Sequence, residues 1–268
     1  MTRWTAILLA GERPGGDPLA AAEGVAFKAL IPVAGEAMVA RVARTLLACP
    51  SIGDIVILAQ EPERLLALSP EWIGRDPRIR TAVAASGISA SLAAVAGSDV
   101  APWPVLVTTA DHPLLTAEMV EHFIAGAGDA DVAVAMAERG TVLAAYPDNR
   151  RTWLKLRDGA WSGANLFALQ GATAHGALAA WAAVEQDRKK ALRLLVHFGP
   201  WLAVRALTRT IGLHDAIARA GRRLGLSARL VAMPQAEAAI DVDKPADLAL
   251  ATRILAARAV QAGRADPS

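Results

Sequence analysis

The feature that most constrains this chain is its alternation of short apolar runs with segments of helical periodicity. Thr5 to Ala10 is an apolar run ending at Gly11, the pattern of a strand buried on both faces of a parallel sheet. Asp54 to Ala59, Ile79 to Ala84 and Val105 to Thr109 read as further strands. Between them, Ala37 to Cys49 places Met38, Val42, Leu46 and Leu47 on one helical face, and Pro62 to Leu68 and Ser89 to Ala96 are expected to be helical. Thr116 is expected to cap a helix marked by Met119, Val120, Phe123 and Ile124. Asp131 to Ala137, Thr141 to Tyr146 and Leu166 to Leu169 read as strands, and Asp158-Gly159 is a hairpin signal between Leu154 and Trp161. Helices are expected from Thr173 to about Gly221, a last strand over Arg229 to Met233 and a closing helix over Ala246 to Val260. Repeated strand–helix units imply a mainly parallel sheet covered on both faces, and such sheets bind ligands at the carboxyl ends of their strands.

Three loops fall at such ends. The first runs from Leu9-Ala10-Gly11 through Glu12, Arg13 and Gly15-Gly16 to Lys28. Its glycines expose backbone N–H groups and its two cations can hold a triphosphate and stabilise departing pyrophosphate. It is not a P-loop, because no Gly-Lys-Ser/Thr closes it, and it lacks the G-x-G-x-x-G dinucleotide pattern. The second is Thr108 to Leu115 (TTADHPLL), where Asp111 follows a buried strand, a costly place for an acid unless it works or binds metal. Mg2+ is held through few carboxylates plus substrate phosphates, which suits Asp111; His112 reads as structural rather than as a base. The third is Ile240 to Leu248 (IDVDKPADL), in which Asp241 and Asp243, two apart on an extended segment, share a face. Two such carboxylates favour a second metal contact, while Asp247 suits the first turn of the closing helix.

Together these residues resemble the molybdenum-cofactor guanylyltransferase-like branch of the nucleotidyltransferases. That pattern is a strand, L-A-G-G-x-G-x-R, a loop, then P-K-x-L-x-P-V-x-G, present here as LLAGERPGG and KALIPVAGEAM. TTADHPLL is similar to the family's T-G/A-D-x-P-L-L, IDVDKPADL to its D-x-x-T-P-x-D-L, and WSGANLFAL to its acceptor-side G-G-x-N-x-F strand. The resemblance implies a three-layer α/β/α fold with a Rossmann-like, GT-A type sheet and a magnesium-dependent transfer of NMP from an NTP to a phosphorylated acceptor, with a sugar or polyol phosphate or a lipid headgroup precursor as the candidates. By it, Arg13 and Lys28 hold phosphates and Asp111 and Asp241 hold Mg2+. Leu9, Ala10, Gly11, Ser86, Gly87 and Ser89 contact the nucleotide, and Ser162, Gly163 and Asn165 the acceptor. CTP or GTP is the expected donor. Several positions depart from the pattern: Glu12 stands for a glycine, Phe27 for a proline and Lys244 for a threonine, and Gly16 stands where the family's arginine falls.

Composition bears on what remains. At 268 residues and 54% hydrophobic, with mean hydropathy +0.32, the chain can bury the core of one domain spanning residues 1–268. Cys49 is a lone thiol in an apolar helical run, expected to be buried and inert, as in a reducing cytoplasm. Ala6 to Ala10 is too short for a leader, and Leu194 to Val204, eleven residues broken by Gly199-Pro200, is too short to span a bilayer. The net charge of +2 hides an asymmetry, because Arg188 to Arg229 holds ten Lys/Arg against Asp215 alone. That local balance of +9 on an acidic body argues against a general nucleic-acid binder. It is read as a basic helical insert at about 185–228 that packs on the domain, touches anionic membrane peripherally, or forms a lid for an acidic acceptor. Two rival functions stand beside nucleotidyl transfer. Asp241-Val242-Asp243 is a literal D-x-D of the kind a GT-A glycosyltransferase uses, and Glu12 permits a non-catalytic nucleotide sensor.

Overall fold

The computed structural model describes residues 3–12, 15–85, 87–185 and 200–265. The chain opens with β1 (Trp4–Leu9) and α1 (Pro18–Ala22). A 3-10 turn at Lys28–Leu30 and a small ribbon of β2 (Pro32–Val33) and β3 (Glu36–Ala37) then lead into α2 (Met38–Ala48). β4 (Ile52–Ala59), α3 (Pro62–Leu68), α4 (Glu71–Arg75), β5 (Ile79–Val83), α5 (Ile88–Val95), β6 (Val105–Thr109) and α6 (Ala117–Ala127) continue the alternation. β7 (Val132–Glu138), α7 (Arg139–Ala145), β8 (Leu154–Leu156), β9 (Gly159–Leu169) and α8 (His175–Glu185) follow, then α9 (Pro200–Leu207), α10 (Leu213–Arg223), β10 (Ala228–Ala232) and α11 (Pro245–Ala265).

The main sheet runs β10-β7-β9-β6-β1-β4-β5, with β8 beside β9. β6, β1, β4 and β5 are mutually parallel, β7 and β10 are parallel to each other, and β9 runs antiparallel between β6 and β7. Strand alternation builds two cores. Leu8, Ile55, Ile57 and Leu106 face Val39, Val42 and Leu46 of α2, Leu65 of α3 and Phe123 of α6. Ile7, Val56, Leu58 and Val107 point the other way, onto Leu92 of α5 and Leu178 of α8. These are the three expected layers, and each fully buried aliphatic side chain contributes about 1.5–3 kcal/mol. Thr116 caps α6 as expected, its hydroxyl accepting the Met119 N–H at 3.2 Å.

A third core places the functional segments. Leu19 and Ala20 of α1, Ile31, Val33, Leu114, Ile240 and Val242 pack against Ala251 and Ile254 of α11. Residues 28–33, 111–114 and 240–242 are thereby clamped together by the closing helix, and Arg258 donates to the Leu114 carbonyl at 3.1 Å.

One expected strand is a helix. Thr141 to Tyr146 falls in α7, because β7 already has β9 on one side and β10 on the other, leaving no edge for it. The alanine-bearing run T-V-L-A-A is of a length that periodicity cannot assign, and packing decides it. Leu166 to Leu169 is the end of the longer antiparallel β9. Of the basic insert, 186–199 lie outside the described residues, as does the Trp201 side chain. The described part packs onto the sheet edge, where Ile211, Leu213 and Leu230 bury against Leu156 and Trp161. Asp158, at the β8–β9 turn, accepts the Leu213 N–H at 2.8 Å and so supplies the cap that Gly212 lacks. No helix among the described residues is long and apolar enough to cross a membrane.

Candidate active site

The carboxyl ends of β1, β4, β5 and β6 open into a cleft of ≈ 790 Å3. The parallel register sets Leu9 beside Thr109, and Ala110 N–H donates to the Leu9 carbonyl at 2.9 Å, so the loops after β1 and β6 leave the sheet side by side. Lys28, on the 3-10 turn, reaches across this junction. Its Nζ donates to Asp111 Oδ2 and to Asp243 Oδ1, both at 2.6 Å. Burial works against the Lys28 charge, but the two carboxylates outweigh it and raise its pKa, so at neutral pH it is an ammonium. Val242 N–H donates to the Asp111 carbonyl at 2.8 Å, tying the third loop to the second.

Asp241 faces other partners. Arg151 binds its Oδ1 at 2.7 Å, and Asn165 Nδ2 lies 3.5 Å from its Oδ2. Asn165 sits in the left-handed region at φ +50°, where the β7–β9 register slips, a bulge that re-aims its side chain out of the regular pleat. Arg151 also donates to Ser162 Oγ at 3.2 Å. The shared face read for Asp241 and Asp243 therefore leaves them on separate cations: Asp243 on the Lys28 side, Asp241 on the β9 side.

The residues present fit Mg2+. Oδ1 of Asp111 is buried and has no hydrogen-bond partner, the arrangement of a carboxylate with one oxygen left for a cation. Among the described residues no three His, Cys, Asp or Glu side chains gather to hold a metal by themselves; Mg2+ characteristically takes one or two carboxylates, water and substrate phosphates. Asp111 and Asp243 are the carboxylates that share one cation here. His112 is fully buried and burial lowers its pKa to about 4, so it is a neutral core imidazole, as read from the sequence. Cys49 is buried, and burial, with Glu121 nearby, pushes its thiol up to about 12.

The model of the MobA-like NTP transferase domain matches residues 6–224. The chain belongs to that family. A solved structure of a hypothetical transferase from Thermus thermophilus is 30% identical to this chain, covering 92% of this chain and 100% of that one with a TM-score of 0.75. More distant likenesses show the fold alone. They include a CMP:2-keto-3-deoxy-manno-octonic acid synthetase complexed with CTP (12% identity, 96% and 100% coverage, TM-score 0.59). Another is 4-diphosphocytidyl-2C-methyl-D-erythritol synthase from Anaerococcus prevotii (11%, 95% and 96%, TM-score 0.55). No curated protein matches the chain in sequence.

The family match ends before Asp241, yet packing carries Asp241 and Asp243 into the same site. Leu9, Ala10, Gly11 and Gly87 line the cleft with Lys28, Asp111 and Asp243. Ser89 is buried in the first turn of α5 and is not among the cleft-lining residues; Ser91 is, its hydroxyl accepting the Ala85 N–H at 2.8 Å. Arg13 and Ser86 lie outside the described residues. Ser162 and Asn165 stand beside Arg151 and Asp241, and Gly163 lies between them on β9. Three residues escaped the sequence reading. Gln60 clasps Glu12, accepting its N–H at 2.8 Å and donating to its carbonyl at 3.1 Å, and a Cβ on Gly11 would meet the Gln60 amide at 3.0 Å. Ser91 is the second. Arg151, in the loop before β8, is the third. Glu12, the departure from the glycine pattern, accepts the Lys28 backbone N–H at 2.7 Å and so fastens the loop to the lysine turn.

Proposed function

We propose that this chain transfers the nucleoside monophosphate unit of an NTP to a phosphorylated small-molecule acceptor and releases pyrophosphate. The observation that carries the reading is Lys28 held between Asp111 and Asp243, at the mouth of a cleft that the β1 glycine loop lines. An acceptor phosphate oxygen attacks the α-phosphorus as the bond to the bridging oxygen breaks, and pyrophosphate leaves with that electron pair. A phosphate oxygen needs no general base, so positioning and charge neutralisation account for the catalysis. The Lys28 ammonium neutralises triphosphate charge, and the N–H groups of Gly11, Gly15 and Gly16 offer donors to phosphate oxygens. Asp111 and Asp243 would hold Mg2+, which when bound adds positive charge beside the phosphates. Arg151, Asn165 and Ser162 orient the acceptor from the β9 side.

Against the rival use of Asp241-Val242-Asp243 as a D-x-D pair for a nucleotide sugar, the segment follows the last strand of the sheet, and a sugar donor has no need of a lysine at the glycine loop. GTP and CTP are the donors to try first: the guanylyltransferase resemblance supports one, the fold shared with a CTP complex the other. The test is pyrophosphate release from each of four NTPs with Mg2+ and pooled phosphorylated sugars and polyols. Release is expected only when NTP, metal and an acceptor are combined. Sugar release from nucleotide sugars, with none of pyrophosphate from any NTP, sinks this reading.

A further inference from the structure

A second groove, of ≈ 640 Å3, opens on the far side of Arg151, lined by α7, residues 147–153 and the β8–β9 hairpin. Arg139, Arg150, Arg151, Lys155 and Arg209 stand in its walls and no acid does. Arg151 is neutralised by Asp241, but among the described residues no carboxylate pairs with the other four. Gathering unpaired like charges around one concavity costs free energy through mutual repulsion, and an anion bound there removes that cost.

Arg209 gives an independent sign. It ends α9 in the left-handed region at φ +55°, with its own N–H on the Ala206 carbonyl at 3.2 Å and the Thr210 N–H on the Arg205 carbonyl at 2.8 Å. That is the helix-terminating position glycine or asparagine ordinarily fills, because other side chains are strained there. Here the strained position carries a guanidinium into the groove wall, and strain kept at one residue is a mark of function. The groove is also joined to the transfer site, since Arg151 spans from its wall to Asp241 and to Ser162 on β9.

We propose that this groove seats an anionic group of the acceptor, of phosphate class, held by Arg139, Arg150, Lys155 and Arg209 beside Trp153. The acceptor is then at least doubly anionic, with one phosphate attacking near Arg151 and a second anionic group anchored in the groove. The word acceptor rests on the transferase reading; the anion site does not.

The test uses 15N-labelled full-length protein, with the Trp153 indole N–H signal assigned by Trp153→Phe and titrated with inorganic phosphate against chloride at equal ionic strength. Phosphate is expected to shift that signal saturably. Arg150→Ser/Lys155→Ser/Arg209→Gly should weaken this binding at least tenfold, and Arg209→Gly alone should weaken it while keeping or raising Tm. Both variants should bind Mg–NTP as the wild type does. A Trp153 signal that phosphate moves no more than chloride overturns the proposal, and so does equal phosphate affinity in the triple variant. If wild type binds no NTP but its groove still titrates, the transferase reading falls, and the acceptor assignment with it, while the anion site stands.

Discussion

At the scale of single residues, the site depends on where a few charges meet. Asp111 was legible because it follows a recognisable strand end, and Lys28 because it opens the KALIPVAG motif, although α1 stands between it and β1; both line one cleft. Asp111→Asn keeps the shape of the turn but removes the charge, and is expected to lower turnover by at least about 100-fold with Tm little changed. Near-normal pyrophosphate release in that variant would take Asp111 out of the site. Gln60 and Arg151 were not legible. They act through contacts to residues 48 and 90 positions away, which no local pattern encodes. Asp131 shows the same at a structural joint. Hydrogen bonds from Thr173 and Ser227 hold its carboxyl down to about 2, linking the starts of β7 and β10. A depressed carboxylate contributes stability above its unfolded value of 3.8, and that contribution is lost as pH falls toward 2. Asp131→Asn should therefore cost about 1 kcal/mol at pH 7, after discounting for solvent exposure, and progressively less as pH falls from 3.8 through about 2. Urea unfolding of both proteins at each pH checks this; a constant difference across the range would contradict it.

At the scale of elements, the periodic helices and most of the short apolar strands identified themselves, and Thr141 to Tyr146 did not. The α2 stripe and the Thr116 cap were readable because their signals are local. Replacing the cap by Thr116→Ala should cost about 1 kcal/mol with the cleft unchanged, measured as a shift in the urea midpoint at constant m-value. An unaltered midpoint would mean that tertiary packing of Phe123 and Met119 fixes the helix start without the hydroxyl. Thr141 to Tyr146 misled because its length fits a strand, and only the occupation of both β7 edges makes it helical. The antiparallel course of β9 was equally hidden. Strand direction is set by where the chain returns from, and the Asn165 bulge that aims at Asp241 follows from that direction.

At the scale of the whole molecule, the sheet brings the β1 and β6 loops together by parallel register, and the closing helix adds the third loop through Ile240 and Val242. A Lys28 side and an Arg151 side result, which the proposed transfer would use for donor and acceptor; they meet at the Asp241-Val242-Asp243 segment, with a basic groove continuing beyond Arg151. The proposed transfer stands or falls with Lys28, Asp111 and Asp243 forming a triphosphate site that works with Mg2+. Calorimetric titration of wild type, Lys28→Ala and Asp111→Asn with CTP and GTP, each with and without Mg2+, tests it most directly. One of these nucleotides is expected to bind the wild type with Mg2+ dependence, to bind Lys28→Ala at least tenfold more weakly, and to lose its Mg2+ dependence in Asp111→Asn. Binding of equal affinity and equal metal dependence in all three proteins would contradict it.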